Sequence, residues 1–343
     1  MNTGRRRLLT AVCTVAGAAL FVYVVRRAGA AEIIDGIRRV GWGLVVLLLL
    51  AGFRFILRSQ SWRLCMPDAS RLPLGRAFQA FLAGDSVGNV TPLGLVASEP
   101  TKVFLSRHHL ATRDAVASLA AENVIYAASV ATMVSVGLLV VLLTVPLPST
   151  WRWSLAAALA AIAVAVVAGQ RLLRGTWDES RGSRPRWREQ VAAVRQAVAA
   201  FSQGQSGRFQ RAYALDLVYH ATAVLEVFLT LRWVLGDPAS PLSGEGGAGR
   251  ITLSQAIAFE ALNRVVIVAF KFVPFRVGID EALTGAAAPL LALDPAAGIT
   301  LAVVRKVRNL FWTGVGLAII AAHPAQSASP AEPPSGSGPA RQP

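Results

Sequence analysis

Two stretches of this chain, Pro92-Leu-Gly-Leu-Val-Ala-Ser-Glu99 and Pro274-Phe-Arg-Val-Gly-Ile-Asp-Glu281, each set a helix breaker seven residues before a carboxylate in strongly apolar surroundings. Proline stops a helix and frees backbone carbonyls, which lipid does not satisfy; such breaks persist where protein or a watery cavity surrounds them. Interruptions at corresponding positions of two halves are the sequence signature of a transporter's central site. Asn89, Pro92 and Gly94 form the first broken motif and Pro274 and Gly278 the second. Glu99 and Glu281 are placed to bind or relay charge, and Lys102, Arg276 and Arg305 to receive an anionic head group.

Other ionisable residues stand in or beside apolar runs: Glu122, Glu226, Glu260, Arg264, Lys271, Lys306 and Arg308. A basic group or an aspartate at the bilayer centre costs about 2.5–3.5 kcal/mol on insertion scales, so several must face one another or water. Glu260 and Arg264, four apart, share a helix face as an ion pair, either structural or functional. Lys271, Arg276, Arg305, Lys306 and Arg308 cluster about the second break. They either line a cavity attractive to anions or, for Lys306 and Arg308 especially, snorkel to the interface. Arg305 is expected in the cavity, with Glu281 or Glu122 as its partner.

The elements that must position these groups follow from composition. Of 343 residues 54% are hydrophobic and only 15% charged, too apolar for a soluble domain of this length. Crossing about 30 Å of hydrocarbon takes roughly 20 apolar residues. Seven runs are read as membrane helices: Leu8 to Val25, Trp42 to Leu57, Ala115 to Val145, Trp153 to Leu173, Ala212 to Leu235, Leu253 to Val273 and Ala296 to Ala322. The first follows Arg5-Arg6-Arg7 but lacks a small-residue cleavage site, which favours an uncleaved helix. The fold class is thus all-α, a polytopic transmembrane bundle of about seven helices with two proline-broken, re-entrant segments.

Nine arginines between Arg171 and Arg211 place the loop 174–207 in the cytoplasm, and the amino terminus with it. Arg26, Arg27, Arg38 and Arg39 then face outwards, against that rule. Within the loop, Val191, Val194, Val198 and Phe201 recur at helical spacing, as for a helix on the membrane surface. Residues 323–343 are too poor in apolar side chains to form a core and read as disordered. Residues 1–322 make one transmembrane domain. The net charge of +15 is spread over loops, which speaks against nucleic acid. Cys13 and Cys65 form no framework, and adjacent His108 and His109 diverge by about 100° on a helix, so neither metal nor cofactor is expected.

Superposing the two proline-glutamate segments at an offset of 182 residues brings Glu122 near Arg305. Each half then reads as apolar helix, proline break, short segment and helix with buried charge. This is either a duplicated unit or chance; whether its copies run parallel or inverted is open at this level.

The stretches Arg58-Ser-Gln-Ser-Trp-Arg63, Asn89-Val-Thr-Pro-Leu-Gly94 with Ser98-Glu-Pro-Thr-Lys102, Ala121-Glu122, and Val273-Pro-Phe-Arg-Val-Gly-Ile-Asp-Glu-Ala282 with Arg305 resemble the lysylphosphatidylglycerol synthase transmembrane region, or flippase-like domain. The resemblance runs from about Leu8 to Ala322. It implies an inner-membrane or plasma-membrane bundle with re-entrant segments that moves or handles lipids, including aminoacylated phosphatidylglycerol, hopanoids or polyprenyl-linked glycans. The family's second motif carries paired glycines after the proline, where this chain has Phe275 and Arg276. No aminoacyl-transferase domain is expected after Ala322.

The leading expectation is therefore a lipid transporter whose partners are membrane lipids with an anionic or glycan-linked head. The absence of a Walker-type loop leaves an ion gradient or the lipid's own gradient as the driving force. The alternatives are a non-catalytic partner of a separately encoded synthase, and a membrane-embedded glycosyltransferase using Glu99, Asp280 or Glu281 as base.

Overall fold

A computed structural model describes residues 38–66, 68–91, 94–174, 206–235, 251–270, 273–276 and 278–322. All regular structure among them is helical: α1 (Gly43–Leu64), α2 (Leu74–Val90), α3 (Gly94–Ser106), α4 (Thr112–Thr144), α5 (Ser149–Arg174), α6 (Ser206–Val234), α7 (Leu253–Ala269), α8 (Ile279–Ala287) and α9 (Pro295–Ala322). Four of these, α1, α4, α5 and α6, are long and apolar enough to cross a membrane. At 17 residues α7 is shorter, and α9 carries Arg305, Lys306 and Arg308 midway. The run from Leu8, the surface helix within 191–201, Pro92, Lys271 and the tail lie outside the described residues.

α1 runs seven residues beyond the apolar stretch that announced it. Arg54, Arg58 and Arg63 end the hydrophobic pattern but not the helix, because each finds acceptors inside the protein. The first break follows from the chain itself: Thr91, preceding a proline, is extended (φ −105°, ψ 141°). α3 then folds back along α2, closely enough that a Cβ on Gly94 would strike the Gly88 carbonyl. At 17 and 13 residues, about 25 and 20 Å, the two helices are too short to cross singly, as expected for a re-entrant pair.

At the second break Phe275 and Arg276 adopt φ of 49° and 48°, and Gly278 a φ of 84°. These left-handed values suit glycine and strain other residues by about 1–2 kcal/mol each. Phe275 is buried and Arg276 pairs with Asp280 at 3.2 Å, contacts that hold the strained turn. The α8 amino terminus is closed by Glu281, whose carboxylate accepts the Gly278 N–H at 2.9 Å. At α7 a full capping box operates: Thr252 Oγ1 accepts from Gln255 N at 3.3 Å, and Gln255 Oε1 from Thr252 N at 2.7 Å. Thr252→Ala is expected to cost about 1 kcal/mol, seen as a lower melting temperature of the detergent-solubilised protein.

The packing establishes an internal repeat of α1–α4 and α6–α9. α4 packs on α7, and reciprocally α9 packs on α2; α1·α2, α1·α4 and α1·α9 have counterparts in α6·α7, α6·α9 and α6·α4. Direction decides its sense. Along α1, Gly43 meets Trp233, Arg54 meets Glu226 and Ser61 meets Ala212, so α1 and α6 are antiparallel. α4 runs against α1 through Ser118 on Trp62 and Glu122 on Arg58. α9 runs with α1, Val304 clustering with Val40 and Leu47 while Trp312, further along, meets Gly52 and Phe55. Equivalent helices therefore point opposite ways and the repeat is inverted. α5 stands outside it, packed on α4.

Candidate functional site

Between the repeats lies a cavity of about 280 Å³. Arg54 and Arg58 reach it from α1, Lys102 from α3, Arg264 from α7, Arg276 from the second break, and Arg305 and Arg308 from α9. Only Asp85, Glu99 and Asp280 among its lining residues are acidic. Tyr126, Tyr219 and Trp312 supply aromatic walls, and Asn89, Asn123, Asn263 and Asn309 neutral donors and acceptors.

The arginines are held from behind by buried glutamates that do not line the cavity. Glu226, 3% exposed, accepts from Arg54 at 2.9 Å and from Arg308. Glu260 accepts from Arg264 and, at 3.2 Å, from Arg305. Glu122 faces Arg58 at 2.6 Å. Three glutamates thus meet five arginines; with Lys102 and Arg276 set against the lining Asp85, Glu99 and Asp280, seven cations face six carboxylates around the cavity. The rings carry part of that load: Arg54 lies 4.4 Å from the Tyr219 centroid and Arg58 3.5 Å from that of Tyr126. Lys102 pairs with Glu99 at 2.9 Å and sits 4.0 Å above Phe81.

Of the residues singled out in the sequence, Asn89, Gly94, Glu99, Lys102, Arg264, Arg276 and Arg305 line the cavity together. Glu122 and Glu260 anchor its arginines, and Gly278 starts α8. The expected pairing of Arg305 with Glu281 or Glu122 is corrected: Arg305 joins Glu260, Lys306 joins Glu281, and Glu122 joins Arg58. Adjacent positions on a helix diverge by about 100°, so residue 305 faces α7 while residue 306 faces α8. Glu281 consequently stands off the lining, tied to Lys306 and to the turn before α8. Lys306 is 3% exposed and Arg308 lines the cavity, so neither snorkels.

Arg54, Asp85 and Tyr219 emerge only from the structure as parts of the site, and Glu226, singled out for its charge, proves to anchor Arg54 and Arg308. One signal was available: Arg54 and Arg58, four apart, share a face of an otherwise apolar helix.

This arrangement of broken helices and buried charge extends over most of the chain, and residues 8–316 match the family model described as lysylphosphatidylglycerol synthase TM region. The chain belongs to that family. It is a multi-pass integral membrane protein, and its resemblance in sequence at both breaks accords with the match. No curated protein and no solved structure matches it. Within this lysylphosphatidylglycerol synthase transmembrane-region protein, Phe275 and Arg276 at the second break hold left-handed backbone without a glycine.

Proposed function

We propose that this protein carries lipids across the membrane by taking an anionic or lipid-linked head group into the cavity, while the acyl chains remain outside. The observation that carries this reading is the gathering of seven cationic side chains on the wall of one cavity, at the interface of two inverted repeats, where transporters of such construction bind their substrates. At about 280 Å³ the cavity is just below the usual range for small-ligand sites, a size suited to a head group and not to a whole lipid. Glu99, Lys102, Arg276 and Arg305 are its contact residues, with Arg54, Arg58 and Arg308. We place the protein in the cell membrane with its amino terminus and the 174–207 loop in the cytoplasm.

Purified protein in liposomes is expected to exchange fluorescent phosphatidylglycerol between leaflets faster than protein-free vesicles, with zwitterionic lipid exchanging less. Arg305→Gln should slow the anionic exchange about tenfold or more, since a hydrogen bond to a charged group contributes about 1.5–3 kcal/mol. Absence of exchange for every lipid class and imposed gradient would refute the carrier. A non-catalytic partner of a separately encoded synthase is the second reading, favoured by the family description, which names the membrane part of a synthase. Co-purification of a lipid-modifying enzyme, without leaflet exchange, would support it.

A further inference from the structure

Arg58 differs from the other cavity arginines in how it is compensated. Glu226 and Glu260 each hold two cations, and Glu260 also accepts from Asn263 at 3.3 Å. Glu122 holds one. Its Oε1 lies 2.6 Å from Arg58 Nη2, its Oε2 has no hydrogen-bond partner among the described residues, and it is 0% exposed. Arg58 lines the cavity and keeps its Nη1 unpartnered, whereas Glu122 stands behind it. Asp216 of α6, also 0% exposed and beside Ser61, acts on the same guanidinium.

An anion that binds Arg58 competes with Glu122 for the one ion-pair partner that Glu122 has among the described residues. Glu226 or Glu260 could release one arginine and keep the other; Glu122 would be left as a bare carboxylate wholly inside the protein. An uncompensated buried charge is costly, and the same group in its neutral form is much less so. We propose that a head-group phosphodiester and one proton are taken up together: the anion pairs with Arg58, the Arg58–Glu122 pair breaks, and the proton passes from solvent to Glu122. The proposal rests on the anionic-lipid reading above. One negative and one positive charge enter, so a monoanionic phosphodiester moves electroneutrally and a pH gradient drives it.

The charged and titratable groups facing Glu122 are Arg58 of α1, Cys65 after it, Glu99 and Lys102 of α3, and Asp216 of α6. From α7, Arg264 reaches Tyr126, one turn on, and His220 of α6 meets Ser129. Asp216 is the competing proton acceptor.

The test is titration calorimetry of the detergent-solubilised full chain with glycerophosphoglycerol, a soluble phosphodiester that does not itself titrate between pH 6 and 8. Binding is measured in buffers of different ionisation enthalpy. The wild type is expected to take up close to one proton per anion bound, with affinity falling as pH rises. Glu122→Gln should bind with almost no proton uptake and a flat pH profile, an effect that a purely structural role would not produce. Asp216→Asn should retain the uptake. Wild-type binding without proton uptake overturns the coupling and leaves the anion site standing, as does uptake that survives Glu122→Gln but vanishes in Asp216→Asn. No binding in any buffer overturns the head-group reading itself. Where Glu122→Gln does not fold, the wild-type proton count decides.

Discussion

Glu260→Ala is expected to lower the stability of the folded chain by about 3–5 kcal/mol, the cost of stripping a buried ion pair of one partner. Glu260 is 2% exposed and serves Arg264 and Arg305 at once. Without it Arg264, 3% exposed, keeps among the described residues the Tyr126 and Tyr219 hydroxyls, at 3.2 and 3.4 Å, as neutral acceptors. Arg305 borders the cavity and can rehydrate, so Arg264 accounts for most of the loss. Adding Arg264→Met should recover part of it, because replacing a buried pair by apolar side chains is often neutral or stabilising. Thermal melting of wild type, Glu260→Ala and the double variant in one detergent checks this. A single variant that melts with the wild type would show that Glu260 is not the anchor described.

Gly137→Leu should destabilise the α4–α7 seam by about 1–3 kcal/mol or more. A Cβ at this buried position would already collide with that of Ala261, 3.6 Å from the Ile257 carbonyl as well, and neither neighbour is the end of a flexible chain. The helices must separate, and every apolar contact along the seam loosens with them. Gly316 holds the reciprocal seam, where a Cβ would meet Ser86 of α2 and approach the Leu82 carbonyl to 2.8 Å. Gly316→Leu should therefore cost a comparable amount. Gly169 on α5 has nothing within 4 Å, so Gly169→Leu should stay within about 0.5 kcal/mol. Equal melting of the Gly137 and Gly169 variants would contradict a close seam.

Much of this was legible in the chain. Apolar length located α4, α5 and α9 to within about four residues and α6 to within six, and helices end at Val90 and Ala269, ahead of the two prolines. α1 was read short because arginine counts as polar in sequence, whatever it meets in the fold. The Glu260–Arg264 pair, an i,i+4 contact, was visible. The pairs Arg54–Glu226 and Arg58–Glu122 join residues 172 and 64 apart and depend on helix crossings that no local pattern encodes. Glu226 was visible as a charge that needs a partner, but not which one, and Asp85 drew no notice until the cavity placed it on the lining. The sense of the repeat lies further out of reach, since a unit reads identically in sequence whichever way it crosses.

An inverted pair has a historical consequence. If each half descends from one unit, that unit inserted in both orientations before the halves were joined, since neither copy could otherwise find its partner upside down. Dual insertion demands that arginine and lysine be shared almost evenly between the two faces. Once fusion had fixed one orientation, that balance was no longer required of either half.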